Sequence, residues 1–536
     1  MRRDNTALMM PILGLLVFAL LTLPWLNPFA AGPSPGLIPW LFSAMAAALG
    51  VMVGLMAARG APTSDQRGAF AHGLRWPYWS AWAWLTAGLL SAAMGLLQYF
   101  GASAGLQPWV NLTAPGEAFA NLRQRNQFAS LTNMALAALI CLVALKMCAP
   151  TDTKKTNRSD HLTGLALPAA ALLAVGTAAS ASRTGMLQLA LLCVLAAVWG
   201  LWRQVQIRRL LLTAVLAYGL AVFLLPVLAG LDPSVSGIVA RLRAGDAPCA
   251  SRLTLWSNVL HLIAQKPWLG WGWGELDYAH FMTLYNQSRF CDILDNAHNL
   301  PLHLAVELGV PLALMVCSGA AWWVLRQRPW QEADPVRQMA WTVLAVIGLH
   351  SLLEYPLWYG PFQMAVSLCV LLLGVRRAKS TPPSRSKPAA QAIYPIYPSN
   401  KPLVTVFIAS VAMIIIAFGS YAAWDYHRIS QIYLAPEARS KAYQLDTLEK
   451  IRPSWLFSQQ VRFAELVTTP LSPANAQWTF DTAQALLHYS PEQRVIEKVI
   501  ESAVMLGRDD DALAYLARYK AAFPADHARW ALALTK

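Results

Sequence analysis

The run Asp295-Asn296-Ala297-His298-Asn299 sets one imidazole between two carboxamides and beside a carboxylate. It closes the longest polar stretch between the apolar segments of the chain. An imidazole that is neutral near pH 7 can take a proton from an attacking hydroxyl, which makes His298 a candidate general base. Asn296 and Asn299 are of the type that orients an imidazole or a bound sugar, and Asp295 can polarise the ring. The plainer alternative is a histidine that hydrogen-bonds a carbonyl and helps end the loop. The polar neighbours favour chemistry, at a place where a lipid-borne substrate can be met.

Two arginines are candidates for the charge that such chemistry must manage. Arg183 lies in the short turn Ala181-Ser182-Arg183-Thr184-Gly185, and Arg252 opens the amphipathic stretch Ser251-Arg252-Leu253-Thr254-Leu255-Trp256. Guanidinium groups grip phosphate oxygens with a fork of donors and are not neutralised. Near a lipid surface the pair can hold a lipid diphosphate; taken singly, each can equally be an interfacial arginine with its head in water. A third cluster, Asn121-Leu122-Arg123-Gln124-Arg125-Asn126-Gln127, has six polar or charged side chains in seven residues. Gln124, Arg125 and Asn126 are therefore candidates for positioning substrate. Arg123 and Arg125 run against the charge pattern of the flanking segments, which suggests that a ligand holds them. A solvated helix start is the competing reading.

His350, Glu354, Tyr355 and Tyr359 occur in HSLLEYPLWYG, at another apolar–polar boundary. Aromatic residues belong at such boundaries, whereas an ionisable Glu354 is costly there and so more pointed. Gly270-Trp271-Gly272-Trp273-Gly274 is not a phosphate loop, because no strand precedes it and no lysine follows. Its tryptophans can stack on sugars or anchor in a membrane interface, and anchoring is the reading preferred from sequence. Asp292 and Asp295 are of the oxygen type that suits magnesium or manganese, but two carboxylates make a thin site and no required metal is expected. Cys249 and Cys291 share the polar stretch and can close it as a disulfide in an oxidising compartment. The alternative is two free thiols.

The elements that must position these residues are membrane helices. Hydrophobic residues are 56% of the 536, only 13% are charged, and mean hydropathy is +0.40, values of a polytopic membrane protein. Apolar windows near the length of a span, about 20 residues, fall at 8–26, 37–57, 79–100, 128–148, 162–181, 186–202, 210–229, 301–325, 338–353, 361–375 and 403–424. The expected fold is all-α, with about 11 transmembrane helices. Arg2 and Arg3 precede the first window, which reads as an uncleaved anchor rather than a signal peptide. The net charge of +14 does not imply a nucleic-acid partner, because the basic residues gather in alternate connections. That is the positive-inside pattern, and it directs 230–300 and the chain after 425 to the outer side.

Four regions follow: a first transmembrane block 1–229, an external loop 230–300, a second block 301–424 with a cytoplasmic linker 378–401, and an external helical domain 425–536. In the last, Ser490-Pro491-Glu492 reads as a helix start, Gly507 as its end, and Asp509–Phe523 as a further helix with Ala512, Leu513, Leu516, Tyr519 and Phe523 at helical spacing. GRDDDALAYLARYKAAFP resembles the second half of a tetratricopeptide repeat.

Taken in order, NLRQRNQ, ASRTG, SRLTLW followed by PWLGWGWG, DNAHN and HSLLEYPLWY strongly resemble the PglL-type bacterial O-oligosaccharyltransferases of the O-antigen ligase and polymerase superfamily. The resemblance implies an inner-membrane enzyme of the GT-C kind. It would transfer a glycan from undecaprenyl diphosphate to serine or threonine of exported, pilin-like proteins on the periplasmic side, with no metal or other cofactor. Carried over, His298 matches the essential histidine, Arg183 and Arg252 match arginines thought to hold the diphosphate, and Gln124 and Tyr355 match positions important for transfer. Asn126, Asn299, His350 and Glu354 stand beside them as positioning candidates. A ligase or polymerase with a glycolipid acceptor shares this chemistry; HSLLEYPLWY and the outer helical region favour a protein acceptor. A transporter is disfavoured because the polar residues gather at one face rather than at mid-membrane, and a non-catalytic scaffold would tolerate loss of His298.

Overall fold

A computed structural model describes residues 2–29, 32–59, 76–147, 156–234, 236–245, 247–374 and 402–534. The linker expected over 378–401 lies outside the described residues. All regular structure among them is helical. Five helices are long and apolar enough to cross a membrane: Leu37–Met56, Trp76–Tyr99, Arg125–Met147, Val205–Leu228 and Leu403–Tyr433. Shorter apolar helices include Gly164–Ala179, Arg183–Val198 and Gly360–Gly374.

The first block contains α1 (Arg2–Leu26), α2 (Leu37–Arg59), α3 (Trp76–Tyr99), α4 (Arg125–Met147), α5 (Thr156–Ala179), α6 (Arg183–Val198) and α7 (Val205–Leu228). Helix α4 is its axis, packed by α3, α5 and α6 and, from the second block, by α13 (Pro335–Ser351). Close approach rests on small residues, as is usual where apolar surroundings give no hydrophobic drive between helices. A Cβ on Gly185 would lie 2.5 Å from the Cβ of Ala129, so α6 can start hard against α4 only because residue 185 is glycine.

The described residues of 237–299 form a segment between the two blocks whose core is shared with the helices that follow it. Helices α8 (Gly237–Ala244), α9 (Arg252–Gln265) and α10 (Leu276–Met282) are joined by irregular chain. Leu255, Val259 and Leu262 of α9 pack with Leu276, Phe290, Leu294 and Ala297. Cys249 and Cys291 are joined by a disulfide with Cα atoms 5.3 Å apart. The buried Asn258 fastens α9 to the strap beyond it, donating to the Ser288 carbonyl at 3.0 Å and accepting from the Phe290 amide at 2.8 Å.

The window 301–325, expected as one span, is instead two helices, α11 (Leu300–Leu308) and α12 (Val310–Gln327). The break is Gly309, at φ +86°. The 267–272 segment docks into it: Trp271 N donates to Val306 O at 2.9 Å, Gly272 N to Glu307 O at 3.0 Å, and Val310 N to Pro267 O at 2.8 Å. A Cβ on Gly309 would lie 2.1 Å from Trp268 O, and one on Gly270 2.3 Å from Glu307 O. Gly270 of the glycine-rich motif and Gly309 thus let two backbones touch. Helix α11 carries Leu304, Ala305 and Val306 into the core under α9, while α12 is apolar and exposed along most of its length.

After α13 and α14 (Gly360–Gly374), α15 (Pro402–Ser430) packs on α2 and runs into the C-terminal helices. Its Asp425 is fully buried, where Ser454 Oγ donates to it at 2.8 Å and Arg428 Nη2 at 2.6 Å. Beyond α16 (Thr447–Ile451), the helices α17 (Ser458–Thr468), α18 (Ala476–Leu486), α19 (Gln493–Met505), α20 (Asp509–Ala522) and α21 (Pro524–Leu534) pack each on the next. Their core is Phe463, Leu466, Phe480, Leu486, Val499 and Tyr519. Gly507, at φ +70°, ends α19 as expected. Two details differ from the sequence reading: α19 begins at Gln493 rather than at Pro491, and α20 buries Tyr515 while Leu513 is 63% exposed. Phe281 of α10 enters this same core, so the C-terminal helices grip the 237–299 unit.

Candidate active site

The site is built on turns that leave helices with strained backbone. Non-glycine residues with positive φ among the described residues include Arg123 (+59°), Ala181 (+48°) and His298 (+51°), one in each of three motifs singled out above. Such conformations cost energy and persist where surrounding bonds fix them. At His298 the fixing bonds are local. Asn296 Oδ1 accepts the His298 amide at 2.9 Å. Asn299 Oδ1 caps α11 by accepting from Leu302 N at 3.1 Å, and its Nδ2 donates to Leu352 O at 3.0 Å. The two asparagines therefore set the backbone of His298 and join it to the 352–359 connection; neither holds the imidazole ring.

The ring is held from that connection. His298 Nδ1 lies 3.0 Å from Glu354 Oε2. Arg252 donates through Nη2 to Glu354 Oε1 and through Nη1 to the neighbouring Leu353 carbonyl. Asn126 Nδ2 donates to the same Oε1 at 3.1 Å. One buried carboxylate thus gathers residues from α4, α9 and the 295–299 turn. Burial by itself would raise the Glu354 carboxyl, but the His298 and Arg252 contacts outweigh it and hold it down at about 2. The carboxylate on the imidazole is therefore Glu354, and not Asp295 as the sequence suggested. Asp295 is adjacent in the chain but turned toward its own backbone, and burial pushes its carboxyl up.

With Glu354 ionised, Nδ1 of His298 carries the proton that faces it. Nε2 is then left as an acceptor. Tyr355 sets its ring edge-on to the imidazole, 5.0 Å between centroids, and stacks on Tyr359 at 6.1 Å. Burial raises both phenols, so both are neutral donors.

Arg183 reaches the same assembly through its neighbour. Ser182 caps α6, accepting from Gly185 N at 2.9 Å, and donates to Asn126 Oδ1 at 2.6 Å. Asn126 therefore bridges the Arg183 turn to Glu354. Arg183 itself is half-buried at the first position of α6. Arg241 of α8, which the sequence reading missed, donates to Ala181 O at 2.9 Å and holds that turn from the other side. Its only signal in sequence is the basic run Arg241-Leu242-Arg243.

The NLRQRNQ cluster divides by role. Asn121 is a stitch, donating to Leu26 O at 2.8 Å and Trp109 O at 2.9 Å. Arg125 is paired with Glu117 at 3.0 Å, so a protein carboxylate holds it where a ligand was expected. Gln124 lies beside Asn126 with a buried Oε1 that has no hydrogen-bond partner among the described residues. His350 is fully buried, its Nδ1 2.9 Å from Ser130 Oγ and its ring against Phe362. It can support the site but cannot touch a substrate at its surface. Ser130 and Gln188, joined at 2.7 Å, extend this support between α4 and α6 and were not foreseen, because polar residues inside apolar windows give no sign of their partner.

Among the described residues no group of three or more His, Cys, Asp or Glu side chains could hold a metal ion.

Comparison with known proteins matches three family models. Residues 168–317 match O-Antigen ligase, residues 118–143 match Protein glycosylation ligase, and residues 338–535 match Virulence factor membrane-bound polymerase, C-terminal. A General O-oligosaccharyltransferase of Acinetobacter baylyi is 23% identical over 298 residues, which are 53% of this chain and 49% of that protein. A ComP-specific O-oligosaccharyltransferase of the same species is 23% identical over 270 residues, 50% of this chain and 45% of that protein. The chain thus spans about half the length of the curated relatives it matches. All three matched stretches contribute residues gathered here: Asn126 in one, Arg183, Arg252 and His298 in another, and Glu354 and Tyr355 in the third. The protein is a multi-pass membrane protein, and its matches give it a resemblance to the O-antigen ligases and to the PglL-type O-oligosaccharyltransferases.

Proposed function

We propose that this protein is a glycosyltransferase that moves a glycan from undecaprenyl diphosphate to serine or threonine hydroxyls of exported, pilin-like proteins at the periplasmic face of the bacterial inner membrane. The observation that carries the reading is the shared carboxylate: Glu354 meets His298 Nδ1 through one oxygen and Arg252 through the other. An imidazole oriented at Nδ1 is a base at Nε2, and a guanidinium beside it suits a departing diphosphate.

In the reaction, His298 Nε2 accepts the proton of the acceptor hydroxyl as that oxygen attacks the anomeric carbon. The new C–O bond forms while the bond from the anomeric carbon to the diphosphate oxygen breaks, and one displacement inverts the centre. The diphosphate leaves as an anion that needs no proton, so the site has mainly to neutralise charge and align the nucleophile. Arg252 spends two of its five N–H groups on Leu353 O and Glu354, which leaves donors for phosphate oxygens. Arg183, at the start of α6, is the second cation for that role, and the α6 N-terminus adds a favourable dipole. Gln124, Tyr355 and Tyr359 supply neutral hydrogen-bonding groups for the sugar or the acceptor.

The test is transfer in a cell supplied with a lipid-linked glycan and a candidate pilin, read as the mass of the pilin. His298→Ala should leave the pilin unmodified while the protein still inserts and folds. Normal glycosylation by that variant would remove the assignment. Transfer to a lipid core in place of the pilin would move the reading to a ligase with a glycolipid acceptor.

A further inference from the structure

The GWGWG segment holds two tryptophans with opposite fates. Trp271 is turned inward, its Nε1 donating to Leu262 O at 3.0 Å and Lys266 Nζ lying 4.0 Å over its ring. Trp273 is turned outward and is 63% exposed. Exposure of so large a ring in a segment fixed by backbone hydrogen bonds is a built feature, since Trp271 N and Gly272 N are both tied to α11.

Trp273 is backed by a second ring. Trp358 lies parallel to it, with centroids 6.0 Å apart and planes 12° from coplanar. Both rest on His303, which is 1% exposed and edge-on to Trp358 at 4.7 Å and to Trp273 at 6.2 Å. His303 is pinned in turn, its Nε2 3.3 Å from Glu307 Oε2 and its Nδ1 accepting from Ala297 N at 3.5 Å. Ala297 directly precedes His298, and Trp358 follows Tyr355 in a 3-10 turn whose first bond runs from Trp358 N to Tyr355 O at 3.2 Å. At about 2 Å of rise per residue, Trp358 begins roughly 6 Å from Tyr355, the ring that meets the His298 imidazole.

We propose that the open face of Trp273, backed by Trp358, is a saccharide platform that binds a sugar of the donor glycan beyond the one being transferred at its anomeric carbon. A flat aromatic face held rigid beside the reacting centre suits the apolar C–H face of a pyranose, and it costs little ordering on binding. This differs from membrane anchoring, which the exposed Trp268 and Leu269 on the same segment can perform. The inference rests on the transfer reading for the origin of the sugar, but not for the binding itself.

Two measurements on the detergent-solubilised full chain test it. In saturation-transfer NMR with chitotriose, the wild type and Trp273→Phe should pass aromatic saturation to the sugar protons, and Trp273→Ala should not. No transfer in the wild type, or equal transfer in the alanine variant, overturns the platform. In kinetics, donors of farnesyl diphosphate carrying one N-acetylglucosamine or chitotriose are compared. Trp273→Ala should raise KM for the chitotriose donor about tenfold, the worth of one lost ring stack, and leave KM for the single-sugar donor within about twofold. An equal change with both donors overturns the proposal in favour of a lipid or folding role. A Trp273-dependent NMR signal together with no glycan transfer by the wild type would sink the transfer reading and leave the platform standing. The opposite pair of results would do the reverse.

Discussion

Glu354 Oε2 lies 3.0 Å from Nδ1 of His298, although the two residues belong to different turns separated by α11, α12 and α13. This contact fixes which imidazole nitrogen faces outward, and so which can act as a base. It also makes Glu354 a positioning residue, since its oxygens are already engaged by His298, Arg252 and Asn126.

Glu354→Gln tests that role. The amide keeps the shape but cannot favour the Nδ1–H tautomer as an anion does, and it leaves Arg252 without its counter-charge. The expected loss is about 100-fold in kcat, the lower end of what an acid–base group contributes, with a smaller change in KM. Measuring kcat and KM separately across pH checks this; a drop in KM alone would contradict the positioning role.

Arg252→Lys should fail for a geometric reason. The guanidinium spans the Leu353 carbonyl and Glu354 at once, whereas an ammonium is a point donor. A rise in donor KM of about tenfold is expected even though the charge is kept. Unchanged donor KM in the lysine variant would mean that the fork is not used on the diphosphate.

The residues that the fold gathers around Glu354 were legible because their types were out of place: a histidine between asparagines, arginines and a glutamate at apolar boundaries. Their partnerships were not. Asp295 is adjacent to the imidazole in sequence, yet Glu354 arrives through the packing of α13 and α14, which no local pattern encodes. The apolar windows all fall on helices, since hydropathy reports burial or lipid exposure directly. The division at Gly309 was invisible because an unbroken apolar run reads the same whether or not a second backbone lies against it. Leu513 shows the same limit in α20, where Tyr515 takes the inward place at equally good helical spacing.

Gly309→Ala tests the division. Its φ of +86° disfavours any side chain, and the added Cβ would meet Trp268 O at 2.1 Å, a backbone atom that cannot swing aside. The conformation alone costs about 1–3 kcal/mol. A lower Tm and cleavage by protease within 266–274 are expected. Gly319→Ala is the control, because its Cβ would meet nothing within 4 Å and sits in a helix.

The Cys249–Cys291 bond closes a loop with a sequence separation of 42. In the chain-entropy account such a loop contributes at most about 4 kcal/mol to the 237–299 unit. Reduction, or Cys249→Ala with Cys291→Ala, should speed proteolysis of this unit and weaken its grip by the C-terminal helices. Identical digestion patterns with and without reductant would show that the hydrophobic core of α9 and α11 suffices.

A pH dependence should arise where the C-terminal helices meet this unit. Asp277 of α10 lies in a small pocket shared with His280, Arg289, Asp292, Pro491 and Phe523. Burial pushes its carboxyl up to about 7, the Tyr278 amide opposes that, and the nearby Asp295 and Glu275 add to it. In the unfolded chain the same carboxyl has a pKa near 4. Between those values the unfolded chain releases a proton that the folded one keeps, so stability falls as pH rises. The contribution is complete below about pH 4 and lost through about pH 7. Asp277→Asn stays neutral and removes the dependence. The Tm difference between variant and wild type should therefore grow in favour of the variant from pH 4.5 to pH 8, and a constant difference over that range would mean that Asp277 ionises in the folded protein as it does in water.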